Sequence, residues 1–169
     1  MLRTYIQKIQ GKENLTPFEV ALAMEHVISG DAAAEDIRDF LVALNDKGPT
    51  IDEITAAAQI MRKVVLSVKT RHEVVLDTCG TGGDGQGTIN VSTLAALVAA
   101  AAGVRVCKHG NRAASSRCGS ADLLEALGVN LNASPEQVAR CVEEVGFGFC
   151  FAPVFHPAMK RVAPIRKLL

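Results

Sequence analysis

Net charge is what this sequence most lacks: eighteen lysines and arginines stand against eighteen aspartates and glutamates. A balanced chain has no overall field to draw in nucleic acid or an anionic membrane, so any anion site must be local. No apolar run is long enough to cross a bilayer. The start also lacks a signal-peptide pattern, so a cytoplasmic location is expected. None of the five cysteines, Cys79, Cys107, Cys118, Cys141 and Cys150, forms a C-x-x-C pair. That argues against a disulfide framework and for reduced thiols, each read as a small buried hydrophobe. What is present is a globular composition: 169 residues, 49% hydrophobic and 21% charged. This suffices for one domain with a sizeable core, or for one small and one partial domain.

The most informative stretch runs from Asp77 to Thr93. The apolar run Val74-Val75-Leu76 leads into it, and an alanine-rich run, Leu94 to Ala102, leads out. The pattern predicts strand, glycine loop, then helix. Five glycines, Gly80, Gly82, Gly83, Gly85 and Gly87, fall within eight residues. They let the backbone approach a ligand closely, and successive N–H groups in such a loop form a concave anion site. The following helix, with Ser92 or Thr93 as its expected cap, adds the positive end of its dipole. Gly80, Gly82 and Gly85 satisfy G-x-G-x-x-G, but the helix begins too late for a dinucleotide fold. The next strand ends in Lys108-His109, where that fold needs an acid. A P-loop needs Gly-Lys-Ser/Thr, and none is present. The expectation is a phosphate loop of neither common type.

Residues 1–66 read as a helical domain. Leu2, Tyr5, Ile6 and Ile9 repeat at helical spacing. Thr16-Pro17-Phe18-Glu19 and Thr50-Ile51-Asp52-Glu53 are capping boxes. A third helix, about Ala33 to Asn45, lies between them. Glu35-Asp36 and Asp52-Glu53 read as surface charge. Residues 67–73 are a polar link, with His72 solvated. Residues 74–163 then alternate: strand 74–78, helix 92–102, strand 104–108, helices 120–127 and 135–145, strand 147–151. Ser134 to Gln137 forms another capping box. Such alternation predicts a mainly parallel sheet covered on both faces, with ligands beyond the carboxyl ends of its strands. Residues 164–169 begin a helix returning to the helical domain. The fold class is α/β preceded by a small all-helical domain.

A second loop, Lys108-His109-Gly110-Asn111-Arg112-Ala113-Ala114-Ser115-Ser116, packs cations, an amide and hydroxyls into nine residues. That suits a polyanion carrying a polar organic group. It follows a strand end, as the glycine loop does, so both belong on one rim. Ser120 then offers a second capped helix start to a phosphate.

These motifs resemble those of the anthranilate phosphoribosyltransferase family of tryptophan biosynthesis. The matching residues are Asp77-x-x-Gly80-Thr81-Gly82-Gly83-Asp84, Asn90-x-Ser92-Thr93, Lys108 to Ser116, Ser120-Ala121-Asp122, and Phe151-Ala152-Pro153-x-Phe155-His156-Pro157-Ala158-Met159-Lys160. The resemblance runs from start to end. It implies a nucleoside phosphorylase/phosphoribosyltransferase-like fold. It also implies transfer of a phosphoribosyl group from phosphoribosyl pyrophosphate (PRPP) to the amine of anthranilate, with Mg²⁺. By position, Gly80, Gly83, Asp84, Thr88, Asn90, Val91, Ser92 and Thr93 are implied to hold PRPP. Lys108, His109, Gly110, Asn111, Arg112, Ala113, Ala114, Ser115, Ser116 and Ser120 are implied to complete the phosphate site. Ser92 is implied as the Mg²⁺ ligand, and Gly80, Asn111, His156 and Arg166 as contacts of anthranilate. No catalytic acid or base is assigned, because an aniline nitrogen is already neutral at pH 7. A homodimer through the N-terminal helices is expected.

Members of that family are about twice as long, and their second half carries an adjacent Asp-Glu pair that binds the metals. No such pair stands in the right context here. The chain is therefore expected to be a fragment, and inactive by itself. Two other readings stay open. One is a pyrimidine nucleoside phosphorylase-like enzyme, whose glycine loop and the residues after it look different. The other is a non-catalytic nucleic-acid-binding member of the fold, against which the zero net charge argues.

Overall fold

The computed structural model describes residues 1–80, 89–113 and 116–166, with backbone only for Arg161 and Arg166. The chain divides into two compact units, Met1–Val65 with His156–Leu169, and Leu66–Phe155. Among the described residues, no helix is long and apolar enough to cross a membrane.

The first unit is helical. It contains α1 (Leu2–Gln10), α2 (Pro17–Ser29), α3 (Ala34–Lys47), α4 (Ile51–Val64) and α9 (Met159–Arg166). Each of the first four turns one apolar stripe inward. Leu2, Ile6 and Ile9 meet Val20, Ala23 and Val27 of α2, Ile37 and Phe40 of α3, and Ala56 of α4. Both expected capping boxes form: Glu19 and Glu53 each return a carboxylate to the N-cap N–H, and Thr16 and Thr50 accept from the third helical residue. Gly30 ends α2 at φ 84°, a left-handed conformation that glycine adopts at little cost.

Glu53 departs from its surface reading, being only 1% exposed. Its carboxylate accepts from Leu15 N at 2.8 Å, Thr50 N at 2.7 Å and Lys47 Nζ at 2.8 Å. Burial alone would push this carboxyl up. The Lys47 ammonium and the two N–H groups outweigh it and hold the carboxyl down at about 2. Thr50 marked Glu53 as a cap but not as a buried ion, because the pattern does not show that Leu15 and Lys47 close over it. The last helix also departs from expectation. Met159 N and Lys160 N bond to the His156 and Pro157 carbonyls, so α9 starts at Met159 and Pro164 lies inside it. The helix expected to begin at 164 therefore starts five residues earlier.

The second unit holds β1 (Val106–Gly110) and β2 (Phe147–Phe151), paired in parallel with Val106 opposite Phe147 and Gly110 opposite Phe151. With them come α5 (Val91–Ala101), α6 (Ser120–Ala126), α7 (Pro135–Glu144) and the short α8 (Ala152–Phe155). On one face Val138 of α7, Cys150 and Phe155 pack with Cys107 and Val68. On the other, Ala121 and Leu124 of α6 pack on Phe149. Gly148 lets α7 lie close. A Cβ there would stand 2.7 Å from Val142 Cγ2 and 2.9 Å from the Val138 carbonyl. A helical bundle followed by an α/β unit with parallel strands is the predicted fold class.

Four local expectations are corrected. The strand expected at 74–78 reduces to one parallel bridge, Leu76 to Val106. Leu76 N bonds Arg105 O and Cys107 N bonds Leu76 O. The next rung is then taken by side chains: His109 N donates to Asp77 Oδ1 at 3.2 Å, and Lys108 Nζ takes the Thr78 carbonyl. The following strand lies two residues later than the expected 104–108, because Gly103 turns at φ 94° before it. Cys79 and Cys141 are exposed, so the buried-hydrophobe reading fails for them. His72 is half-buried, not solvated, and its Nε2 is enclosed without a partner among the described residues.

Candidate functional site

Three segments meet at the carboxyl end of β1: residues 77–80, the start of α5, and residues 109–113 with the start of α6. Lys108 organises the first two. Its side chain points off the strand into the unit and is 1% exposed. Nζ donates to the Thr78 carbonyl and, at 3.2 Å, to Ser92 Oγ. Burial pushes its ammonium below the ordinary lysine value, while the negative charge of Asp77 opposes the shift. Thr78 Oγ1 donates to the Ser92 carbonyl at 2.8 Å, so strand end and helix start are joined twice. An ammonium has three N–H groups. Two are engaged among the described residues, with the Thr78 carbonyl and Ser92 Oγ.

Asp77 holds His109 at two points, accepting from its backbone N–H and hydrogen-bonding Nδ1 through Oδ2. The cap of α5 is Asn90, not Ser92 or Thr93, and its side chain makes no capping bond. It turns instead to the Gly119 carbonyl, 3.5 Å away, linking α5 to the second loop. Thr93 is fully buried, with Oγ1 unpartnered among the described residues. Its hydroxyl faces the interior. Val91 is 61% exposed. Of the first-loop candidates, Gly83, Asp84 and Thr88 lie outside the described residues.

The second loop is fixed by its own contacts. Gly110 sits where a Cβ would fall 2.1 Å from Ser120 Oγ and 2.9 Å from Phe149 Cε2. Asn111 O accepts from Ala121 N at 3.1 Å and Ser120 Oγ at 3.2 Å, and Asn111 Oδ1 accepts from Arg112 N at 2.8 Å. Ser120 is therefore not the cap of α6. Gly119 holds that position, and Asp122 Oδ2 accepts from Gly119 N at 2.8 Å and Ala113 N at 2.9 Å. These two N–H groups, then the Arg112 guanidinium, hold the Asp122 carboxyl below its ordinary value. Ser116 Oγ donates to Cys118 O at 3.3 Å, while Ala114 and Ser115 lie outside the described residues.

Thr78, Asp122 and Glu125 escaped the sequence reading as site residues. Asp122 and Glu125 stand three apart on α6, hence on one helix face beside a loop arginine. That spacing was the available signal. His156 and Arg166 belong to the helical unit. Arg166 is the last residue of α9 and its side chain lies outside the described residues.

Ser92 Oγ is a hard oxygen donor, and Mg²⁺ is commonly held by one or two protein oxygens together with substrate phosphates and water. Among the described residues no three His, Cys, Asp or Glu side chains cluster as a metal site. Ser92, which also accepts from a lysine, fits only as a minor ligand of an ion held chiefly by phosphate.

Residues 72–169 match the α/β domain model of the glycosyl transferase family, and residues 3–64 its helical bundle domain. An anthranilate phosphoribosyltransferase from Moorella thermoacetica is 52% identical over 167 residues, 99% of this chain and 49% of that one. The crystal structure of the Thermus thermophilus anthranilate phosphoribosyltransferase superposes with a TM-score of 0.88 at 52% identity, covering 96% of this chain and 50% of that one. The Saccharomyces cerevisiae anthranilate phosphoribosyltransferase in complex with PRPP and Mg gives 0.87 at 32% identity, covering 99% and 50%. The chain spans about half the length of the curated relatives it matches. It belongs to the glycosyl transferase family and corresponds to the N-terminal half of that family's anthranilate phosphoribosyltransferases.

Proposed function

We propose that this chain supplies the PRPP-binding half of an enzyme of tryptophan biosynthesis. That enzyme transfers the phosphoribosyl group of PRPP to the amine of anthranilate, giving N-(5-phosphoribosyl)anthranilate and pyrophosphate. The observation that carries the reading is the buried Lys108, which ties the entry of the glycine loop at Thr78 to Ser92 on the helix beyond it. Such a bond joins the residues on either side of the loop, whose glycines suit a backbone anion site.

In this reading Gly80, Gly83, Asp84, Thr88 and the backbone from Asn90 to Thr93 hold the diphosphate and ribose. The loop from Lys108 to Ser116, with Ser120, closes the phosphate site, Arg112 contributing through the loop's shape and not as a ligand. Arg166 offers a planar fork to the carboxylate of anthranilate. As pyrophosphate leaves C1′, positive charge develops on the ribose and negative charge on the leaving group. The loop N–H groups and Lys108 stabilise the second, and the fixed geometry holds the amine in line. Mg²⁺, when bound, neutralises part of the diphosphate charge. A cytoplasmic location and a homodimer through the N-terminal helices complete the proposal.

The test is calorimetric titration of the chain with PRPP and Mg²⁺. Saturable binding, competed by pyrophosphate, is expected. Absence of binding by a chain with native circular dichroism overturns the reading. Loss of anthranilate fluorescence on adding the second half of a family member as a separate polypeptide would extend it from binding to transfer.

A further inference from the structure

We propose that Arg112 is a positioning residue, not a phosphate ligand: with Glu125 and Asp122 it locks the second loop onto the start of α6 in the shape that receives PRPP. This rests on the function proposed above. The observation is what the guanidinium already does. Nη1 donates to Asp122 Oδ1 at 2.9 Å and to Glu125 Oε2 at 2.7 Å, and Nη2 donates to Glu125 Oε1 at 2.9 Å. The guanidinium carbon also lies 5.7 Å from the centre of the Phe151 ring. Two carboxylates thus balance its charge and take three of its five N–H groups.

Single exposed ion pairs contribute little, but a two-point arginine fork inside a network is the exception. Here the network continues into the backbone. Asp122 Oδ2 takes the N–H groups of Gly119 and Ala113, and Asn111 O takes the Ala121 N–H. At the start of α6 the Ala121 N–H is therefore spent on the loop and the Gly119 N–H on Asp122, which also holds the loop at Ala113, so that helix end acts as an anchor. Gly119 allows this closeness, since a Cβ there would lie 2.3 Å from Ala113 N and 2.5 Å from the Arg112 carbonyl carbon. A loop held at Asn111, Arg112 and Ala113 presents a fixed main chain to a ligand, and less ordering is left to occur on binding.

The two roles predict opposite signs. If Arg112 bound phosphate directly, Glu125→Gln would free the guanidinium, remove a negative charge near an anion site and tighten binding. If it positions the loop, Glu125→Gln loosens the loop and weakens binding, by about tenfold for the loss of one charge-assisted bond. Arg112→Lys keeps the charge but loses the fork, and should weaken binding as Arg112→Gln does. The experiment measures the Kd for PRPP with Mg²⁺ in wild type, E125Q, R112K and R112Q. Amide hydrogen exchange of residues 111–113 and 119–122 is followed in the ligand-free proteins. The expected result is faster exchange confined to those amides in all three variants, with unchanged melting temperature and weaker binding. Unchanged exchange, or tighter binding by E125Q, overturns the proposal. A wild type that binds no PRPP would fail the functional reading, and the exchange arm would still decide whether the network holds the loop.

Discussion

Lys108 Nζ lies 3.2 Å from Ser92 Oγ and also donates to the Thr78 carbonyl, so one buried cation joins the last residues before the glycine loop to the first turn after it. Lys108→Met keeps the length of the side chain and removes the donor. It leaves the Thr78 carbonyl without its partner, a loss of about 1–3 kcal/mol. Urea unfolding followed by circular dichroism should show that drop, and calorimetry a fall of more than about tenfold in PRPP affinity. Full stability with lost affinity would mean that the lysine serves the ligand alone.

The architecture was legible because its signals are local. Thr16, Thr50 and Ser134 each announce a helix start by a bond to a residue three positions on, and all three boxes form. The site was half legible for the same reason. A run of glycines after a strand can be seen in a sequence, and so can a lysine at the end of the next strand. What the lysine touches cannot be seen, since Thr78 and Ser92 reach it only through the fold. Asp77 and Asn90 show the limit most clearly. Asp77 replaces a rung of the sheet with its side chain, and Asn90 leaves its capping role to face Gly119. Both are short polar residues with several local options, and tertiary contacts chose between them.

Glu53 makes the helical unit sensitive to acid. Its carboxyl is held down at about 2 against an ordinary value of 4.5. The folded state therefore binds this proton less readily than the unfolded chain does. The stability Glu53 contributes is fully present above 4.5 and is lost as pH falls towards 2, amounting to about 3 kcal/mol. Tyr5, the one tyrosine of a chain without tryptophan, packs against the core of this unit and reports on it alone. Its fluorescence in urea should show a midpoint that declines over this interval. Glu53→Gln should lower the midpoint at pH 7 and flatten its pH dependence. A parallel decline in the variant would assign the acid sensitivity to other groups.

Gly119 tests the second loop without touching its charges. A Cβ there would press on the backbone of Ala113 and Arg112, not on the end of a movable side chain. Gly119→Ala should push the loop off α6. The expected result is destabilisation of about 1–3 kcal/mol together with faster exchange at Ala113. Neither effect would be seen if the loop could shift without cost.

Cys79 stands between Thr78, whose carbonyl Lys108 holds, and Gly80 at the mouth of the glycine loop; it is exposed, as is Cys141 on α7. Cys150 is buried, while Cys107 and Cys118 are partly covered. Iodoacetamide should therefore modify Cys79 and Cys141 first, since alkylation requires access to the thiolate. If the loop cradles a diphosphate, PRPP with Mg²⁺ covers Cys79 and leaves Cys141 as an internal control. In the same reading, where backbone N–H groups of a glycine loop receive the anion, pyrophosphate alone should protect as well. Peptide mass spectrometry over a time course gives the two rates separately. The expected outcome is a slowing of Cys79 of about tenfold at a ligand concentration ten times Kd, where about nine sites in ten are filled, with no change at Cys141. Equal rates with and without PRPP, in a protein shown to bind it, would place the diphosphate away from this loop.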